Sequence, residues 1–410
     1  MGNKPKIAII GGGASGMVAA LSAAQAGGQV TLYESFPRLG KKLLATGNGR
    51  CNLSHKGFTV ENFHSTHPYF VRHALSQYNE EDTLKYLNRL GIEIVEDERQ
   101  RYYPASLQAS AVLDVLRLSL SEAHVNVMEN TRIMDIKTTE KGWCLFYKDG
   151  QQCVDAVVVA TGGEAAAKLG GTRDGYKLLQ ALGHQLIDTH PGIVQLVTDT
   201  TSIKAMVGLK RDVALSIYGK NGPIAKDEGE LLITKYGISG PPVLQCSGRV
   251  SRALAKKEKV TAKINFFPTY APEALVALFH ERLAQHPTRT AETFFLGLLP
   301  RVLAEATLKS CGIAFKRVPT PAQLEKCASQ LQAWSLPVLG TNGLENAQVT
   351  IGGIDTADFD DTTLGSWMAP GLFACGEVLD VDGDCGGYNL QWAWSSGRLA
   401  GESAVAYCKQ

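Results

Sequence analysis

Apolar residues along this chain fall into two textures. From Ile7 to Ile10 the chain is unbroken apolar and stops at Gly11. A short apolar run ended by a turn residue is the pattern of a strand buried on both faces. Small residues follow at Ala14, Ala19, Ala20, Ala23 and Ala24, which predicts a helix over 14–26 able to lie flat on a sheet. Val30 to Tyr33 is a second apolar strand ending at Glu34, and Ala156 to Ala160 is a third, running into Thr161, Gly162 and Gly163. The segments 131–137, 142–147 and 151–154 read as a β-meander returning to the same sheet. Asp174 to Gly183 has apolar residues at helical spacing behind an aspartate suited to capping. Near the far end Leu372 to Ala374 is a strand broken by Gly376 and Glu377. There Gly386 and Gly387, which allow close backbone approach, precede a helix starting at Asn389.

Between Gly192 and about Thr341 the texture changes to short alternating runs. Strands are expected over 194–197, 213–218, 230–234 and 260–267, and helices over 272–285, 291–311 and 321–334. Tyr236 to Pro242 reads as a turn that either caps a ligand pocket or simply connects elements. The pattern predicts one discontinuous α/β domain formed by 1–191 and 341–410. Into it is inserted an α+β domain over 192–340, strand-rich and barrel-like to 268 and helical from 269 to 334.

Composition narrows the function. The 410 residues hold 41 Lys+Arg against 40 Asp+Glu, so the whole-chain balance predicts no nucleic-acid or anionic-membrane partner. No run approaches the roughly 18 apolar residues of a membrane span, and nothing apolar precedes the first strand, so neither a membrane nor a secreted protein is expected. The nine cysteines contain no C-x-x-C pair, which predicts no metal site, no disulfide framework and reduced thiols in a cytoplasm. His55, His64, His67 and His73 lack metal-ligand companions and are expected at the surface or capping helices. Trp392 and Trp394 read as core.

The spacing Gly11-x-Gly13-x-x-Gly16 gives the glycines separate roles in the tight turn, in backbone approach to a pyrophosphate, and in close helix packing. It follows a strand and opens a helix, and Glu34 stands about 20 residues on, where a ribose diol is bound. A carboxylate there argues against a 2′-phosphate. The next segment, Pro37 to Asn52, is a loop of glycines and cations in place of another strand, as a long anionic cofactor needs beyond its adenosine end.

Together the Gly-x-Gly-x-x-Gly with Glu34, Ala160 to Gly163 and Gly376-Glu377 resemble the Rossmann-like FAD-binding fold of the glutathione reductase class. Three segments, Thr46 to Asn52, Glu230 to Pro241 and Gly376 to Trp394, resemble a narrower family of bacterial flavoproteins, whose members include aminoacetone oxidase and a bile-acid-pathway reductase. The resemblance spans essentially the whole chain and implies non-covalent FAD. It implies that Gly11, Gly13 and Gly16, with Ala14 and Ser15 opening the helix, take the pyrophosphate, and Glu34 the adenosine ribose. Lys42, Asn48, Gly49 and Arg50 would line the path from phosphate to flavin, and Thr161 and Gly162 the adenine-diphosphate side. Gly376 and Glu377 would meet the ribityl chain, and the amides of Gly387, Tyr388 and Asn389 the pyrimidine edge of the flavin.

The implied activity is two-electron transfer between flavin and a small molecule. The substrate would be an amine oxidised with O₂, or a keto or unsaturated compound reduced with NAD(P)H as a transiently docking donor. No catalytic base is marked by spacing. Cys51 and Cys385 both lie in loops expected near the flavin, where a redox thiol pair competes with simple burial. Arg99 to Pro104 either reaches the flavin face or is a solvated turn. A flavoenzyme of RNA modification, disfavoured by the neutral charge, and a flavin-holding sensor or partner-binding protein are the alternatives.

Overall fold

The computed structural model describes residues 4–410; the opening Met-Gly-Asn lies outside the described residues. The chain divides into two compact units, one of residues up to His190 with Gln348–Gln410, the other Pro191–Ala347.

In the first unit, five parallel strands stand in the order Leu372–Ala374, Ala156–Val159, Lys6–Ile10, Gln29–Tyr33, Asn126–Met128. Ile10 is in register with both Val159 and Tyr33, so the loops after the three central strands leave the same edge of the sheet. Ligands of open α/β sheets bind at that carboxyl edge. The helices Ala14–Gln25 and Tyr388–Tyr407 pack together on the sheet. A Cβ on Gly397 would stand 2.5 Å from the Ser15 carbonyl oxygen, and one on Gly401 2.2 Å from that of Ala19. Glycine is what lets the last helix lie directly on the backbone of the first.

The meander departs from the expectation that it continues the main sheet. Strands Ile133–Thr139, Gly142–Tyr147 and Gly150–Val154 form their own antiparallel sheet. Across its second hairpin Cys144 and Cys153 are direct partners in register and are joined as a disulfide. This corrects the expectation of reduced thiols throughout: the pairing arises from strand register, which a search for C-x-x-C spacing does not test. Cys51, Cys246, Cys311, Cys327, Cys375, Cys385 and Cys408 take no part in a disulfide among the described residues.

The second unit is a closed barrel with helices. Its strands run in the order Leu196–Thr198, Gly237–Ser239, Gly222–Ile233, Lys210–Gly219, Val260–Asn265, Trp334–Thr341. The segment read as a turn, 236–242, is instead the strand Gly237–Ser239 leading into the helix Pro241–Ala255. Its prolines suggested a breaker, yet proline at the first helical position starts a helix. The helix expected to reach 334 stops at Gln332, and Trp334, Leu336 and Val338 alternate inward as a strand. The expected 291–311 helix is split into Ala291–Phe294 and Arg301–Cys311, around Gly297 and Pro300. Phe279, Phe294 and Phe295 pack edge to face in the helical part of the core.

Candidate cofactor site

The first turn assigns each fingerprint glycine a distinct job. Gly11 has φ +109, and a Cβ there would stand 2.5 Å from the Ala160 carbonyl oxygen of the neighbouring strand. Gly16 is tighter still: its Cβ would fall 1.8 Å from the Gly11 carbonyl oxygen. A Cβ on Gly13 would meet nothing within 4 Å, so that backbone faces open space. The first helical bond runs from the Met17 amide to the Gly13 carbonyl, which leaves the amides of Ala14, Ser15 and Gly16 available at the positive end of the helix.

Glu34 sits beside this turn. One carboxylate oxygen accepts from the Gly12 amide at 2.9 Å and the other from the Phe36 amide at 2.8 Å. An ionised carboxylate has about four lone-pair positions, so acceptor capacity remains for a ribose. Gly11 to Gly13, Glu34, Lys42 and Thr161 line one cleft at the carboxyl edge. Arg132 and Asp174, ion-paired with each other, line it too. Asp174, expected to cap its helix, follows the cap residue Arg173 and spends its carboxylate on Arg132. Sequence reasoning missed this pair, because its members lie 42 residues apart.

Lys42, expected on the path from phosphate to flavin, and Glu377, expected at the ribityl chain, meet directly. The ammonium lies 2.8 Å from the carboxylate, which also accepts from the Thr350 amide at 2.8 Å. Gly163 makes room for this: a Cβ there would be 2.9 Å from Glu377 Oε1 and 2.3 Å from Thr350 Oγ1. Gly162, at φ +72, borders open space, and the Thr161 hydroxyl occupies the place of a Cβ on Gly175. Gly376, at φ +75, abuts Ser15, while its amide donates to Ser396 Oγ and its carbonyl accepts from Trp392 Nε1. Trp392 and Trp394 are core residues.

After Lys42 the loop kinks through left-handed Gly47, Asn48, Gly49 and Cys51. Arg50 is exposed and held by stacking over the Tyr103 ring, 5.1 Å from its centroid. The far side of the loop touches the terminal glycines: a Cβ on Gly387 would be 2.7 Å from Asn52 Oδ1. The last helix starts at Tyr388, one residue earlier than expected, with its first bond from the Gln391 amide to the Gly387 carbonyl. The Tyr388 ring stacks on His55 at 4.8 Å, and burial pushes its hydroxyl up to about 12. Asn389 turns its side chain back on the preceding loop, bonding Gly383 N, Gly383 O and Asp384 O. What Asn389 leaves for a ligand is backbone.

Other candidates are accounted for locally. Burial pushes the Cys51 thiol up to about 12, so it stays protonated near neutrality and lacks the nucleophile a redox pair needs. His64 pairs with Asp384 and His67 with Asp355. Arg101 of the strand Arg101–Pro104 forks onto Asp97.

The residues fit a dinucleotide. A diphosphate requires unpaired amides and no Cβ in its way, which Gly13 and the helix start supply; a ribose requires an acceptor, which Glu34 supplies. The model of the HI0933-like protein Rossmann domain matches residues 5–403. A 3-dehydro-bile acid delta(4,6)-reductase of Clostridium scindens is 37% identical over 98% of this chain and 99% of its own. A ribosomal RNA dihydrouridine synthase of Escherichia coli is 29% identical over 97% of each. Among solved structures, a 3-ketosteroid-delta4-(5alpha)-dehydrogenase of Rhodococcus jostii shares the fold at 16% identity and a TM-score of 0.50, covering 98% of this chain and 97% of its own. Matched from end to end by the family model and by a 37% identical relative, the chain belongs to the HI0933-like Rossmann family and is an FAD-dependent oxidoreductase.

Proposed function

We propose that this protein saturates a carbon–carbon double bond conjugated to a carbonyl group. One observation carries the reading. The two relatives aligned over nearly their whole lengths have names that denote the same bond change, on a 3-oxo bile acid in one and on the uracil ring in the other. Bound FAD supplies the hydride carrier. The chain would supply the frame: the amides of Gly13 to Gly16 would hold the pyrophosphate and Glu34 the ribose, with the Lys42–Glu377 pair beyond. The positive end of the helix Tyr388–Tyr407 would stabilise negative charge developing on a reduced flavin ring held against it. The 37% identical relative favours a small unsaturated ketone as substrate.

A second reading, uridine within RNA, is favoured by the distribution of charge. The near-neutral total averages two unlike parts: 191–347 carries 19 Lys+Arg against 12 Asp+Glu, and the remainder 22 against 28. The expectation of no nucleic-acid partner rested on the average.

The test is anaerobic. Protein reduced photochemically, so that no particular donor is assumed, is mixed with a conjugated steroid ketone, its saturated counterpart, or uridine-containing RNA. Return of the oxidised flavin spectrum with the unsaturated ketone or the RNA, and with stoichiometric saturated product, is the expected result. Reduction of the oxidised protein by amines, with no response to either unsaturated compound, would replace the reading with amine oxidation.

A further inference from the structure

We propose that the outer face of the six-stranded barrel is a docking surface for the phosphodiester backbone of folded RNA. The proposal rests on the second reading, uridine within RNA, and adds to it a place and a set of residues.

The face is defined by register. Lys226, Ser216, Lys263 and Ser335 stand side by side on four adjacent strands. Leu215, Ile217, Ala262, Ile264 and Leu336, which flank them along the strands, are buried. Because side chains alternate, the row of four points away from the core. Lys226 and Lys263 are exposed, two strand spacings or about 10 Å apart, with the Ser216 hydroxyl between them. The Lys263 ammonium lies over the half-exposed Tyr218 ring, 4.6 Å from its centroid. A cation held on an aromatic face beside hydroxyl donors can bind a phosphate and also stack against a base.

The row continues into more cations at one end of the barrel. Exposed Lys256, Lys257 and Lys259 lead into the strand Val260–Asn265, and exposed Lys220 occupies the hairpin between Lys210–Gly219 and Gly222–Ile233. Loop and hairpin are neighbours, since Glu258 Oε2 would be 3.3 Å from a Cβ on Gly219. Glu228 and Glu258 are the carboxylates nearest in sequence on the same side, and the exposed Asp212–Glu230 pair stands farther along the same two strands, with Lys210 4.0 Å from Glu230. Asp227 has the opposite parity and lies within electrostatic reach of buried Cys246. With Lys210, seven lysines therefore share this face with four carboxylates, within a unit whose 19 Lys+Arg and 12 Asp+Glu leave an excess of +7.

The experiment is filter binding of full-length FAD-loaded protein to protein-free ribosomal RNA across a salt series. Two triple variants are compared: Lys226→Ala with Lys259→Ala and Lys263→Ala on the face, and Lys204→Ala with Lys309→Ala and Lys316→Ala elsewhere on the same unit. The face variant is expected to lose at least about tenfold in affinity near 0.1 M salt and to flatten the log–log salt slope by about 2 to 3. It should retain its melting temperature and its oxidation by the unsaturated ketone. Equal loss in both triples, an unchanged slope in the face triple, or equally tight binding to phosphatidylglycerol vesicles overturns the proposal. Failure of the wild-type protein to bind the RNA overturns it too, while the proposed bond change is judged separately by the ketone assay.

Discussion

The two units solve the problem of placing atoms closely by different means. In the nucleotide-binding unit the tight points are backbone against backbone, with Gly16 on Gly11, Gly397 on Ser15 and Gly401 on Ala19. The barrel unit has such points where its short strand turns, with Gly237 on Leu196 and Gly240 on Glu230, but its core is side chain against side chain, with inward alternation along the strands and a cluster of phenylalanines. Backbone cannot repack, whereas side chains relax in part. The interhelical and fingerprint glycines of the first unit should therefore respond to single added atoms, and the phenylalanine core of the second to removed ones.

The largest effect tests the barrel side. Phe279 is fully buried, and Phe279→Ala is expected to cost about 3–5 kcal/mol, read by denaturant unfolding, while FAD affinity per folded molecule changes little. A parallel collapse of FAD binding would show that the units do not differ in this way. On the other side, Gly16→Ala sets a Cβ against a carbonyl oxygen that has no room to move. A loss near the upper end of the overpacking range, about 3 kcal/mol, is expected together with loss of FAD. Gly13→Ala is the control within the same motif. With nothing within 4 Å, the apoprotein should melt as the wild type does while FAD titration shows at least about tenfold weaker binding. If both glycines behave alike, the division between packing and ligand approach is wrong.

This division also explains what the sequence made legible. Gly11, Gly13, Gly16 and Glu34 could be read because their spacing is local and each follows a strand. The resemblance gave Lys42 and Glu377 separate cofactor roles, but their meeting was not legible, since 335 residues separate them. Arg132 with Asp174 and Cys144 with Cys153 carried no motif at all; strand register and helix placement bring them together. In the barrel unit, periodicity found most strands. It failed at Pro241, where a helix-starting proline resembles a breaker, and at Trp334, where a helical run passes into alternation without a glycine between.

A smaller effect sharpens the electrostatic side of the comparison. Lys42→Met leaves the Glu377 carboxylate with the Thr350 amide and no cation. Charge-assisted bonds contribute about 1.5–3 kcal/mol, and both side chains are partly solvated, so a loss near the lower bound is expected, roughly tenfold in FAD affinity. Lys42→Arg should recover part of it. Titration of apoprotein with FAD at two ionic strengths reads the effect, and an affinity unchanged by Lys42→Met would remove this pair from the cofactor path.

The smallest effect belongs to a group away from the cleft. His184 is buried, bonded through Nδ1 to the Leu179 carbonyl and through Nε2 to Ser366 Oγ, and stacked on Phe359 at 4.9 Å. Burial holds its imidazole below the usual histidine value. In the unfolded chain it takes a proton below about 6.5, while in the folded chain it resists until lower pH. Between those two values the unfolded state binds the extra proton, so stability is full above about 6.5, declines as pH falls from there towards the folded value, and levels off below it. His184→Gln keeps a polar group at the site and cannot titrate. Its unfolding free energy should lie below that of the wild type at neutral pH and converge towards it in mild acid. Parallel curves for the two proteins between pH 7 and pH 5 would show that this histidine is already solvated or protonated in the folded chain, and that the nucleotide-binding unit owes its acid response to its carboxylates instead.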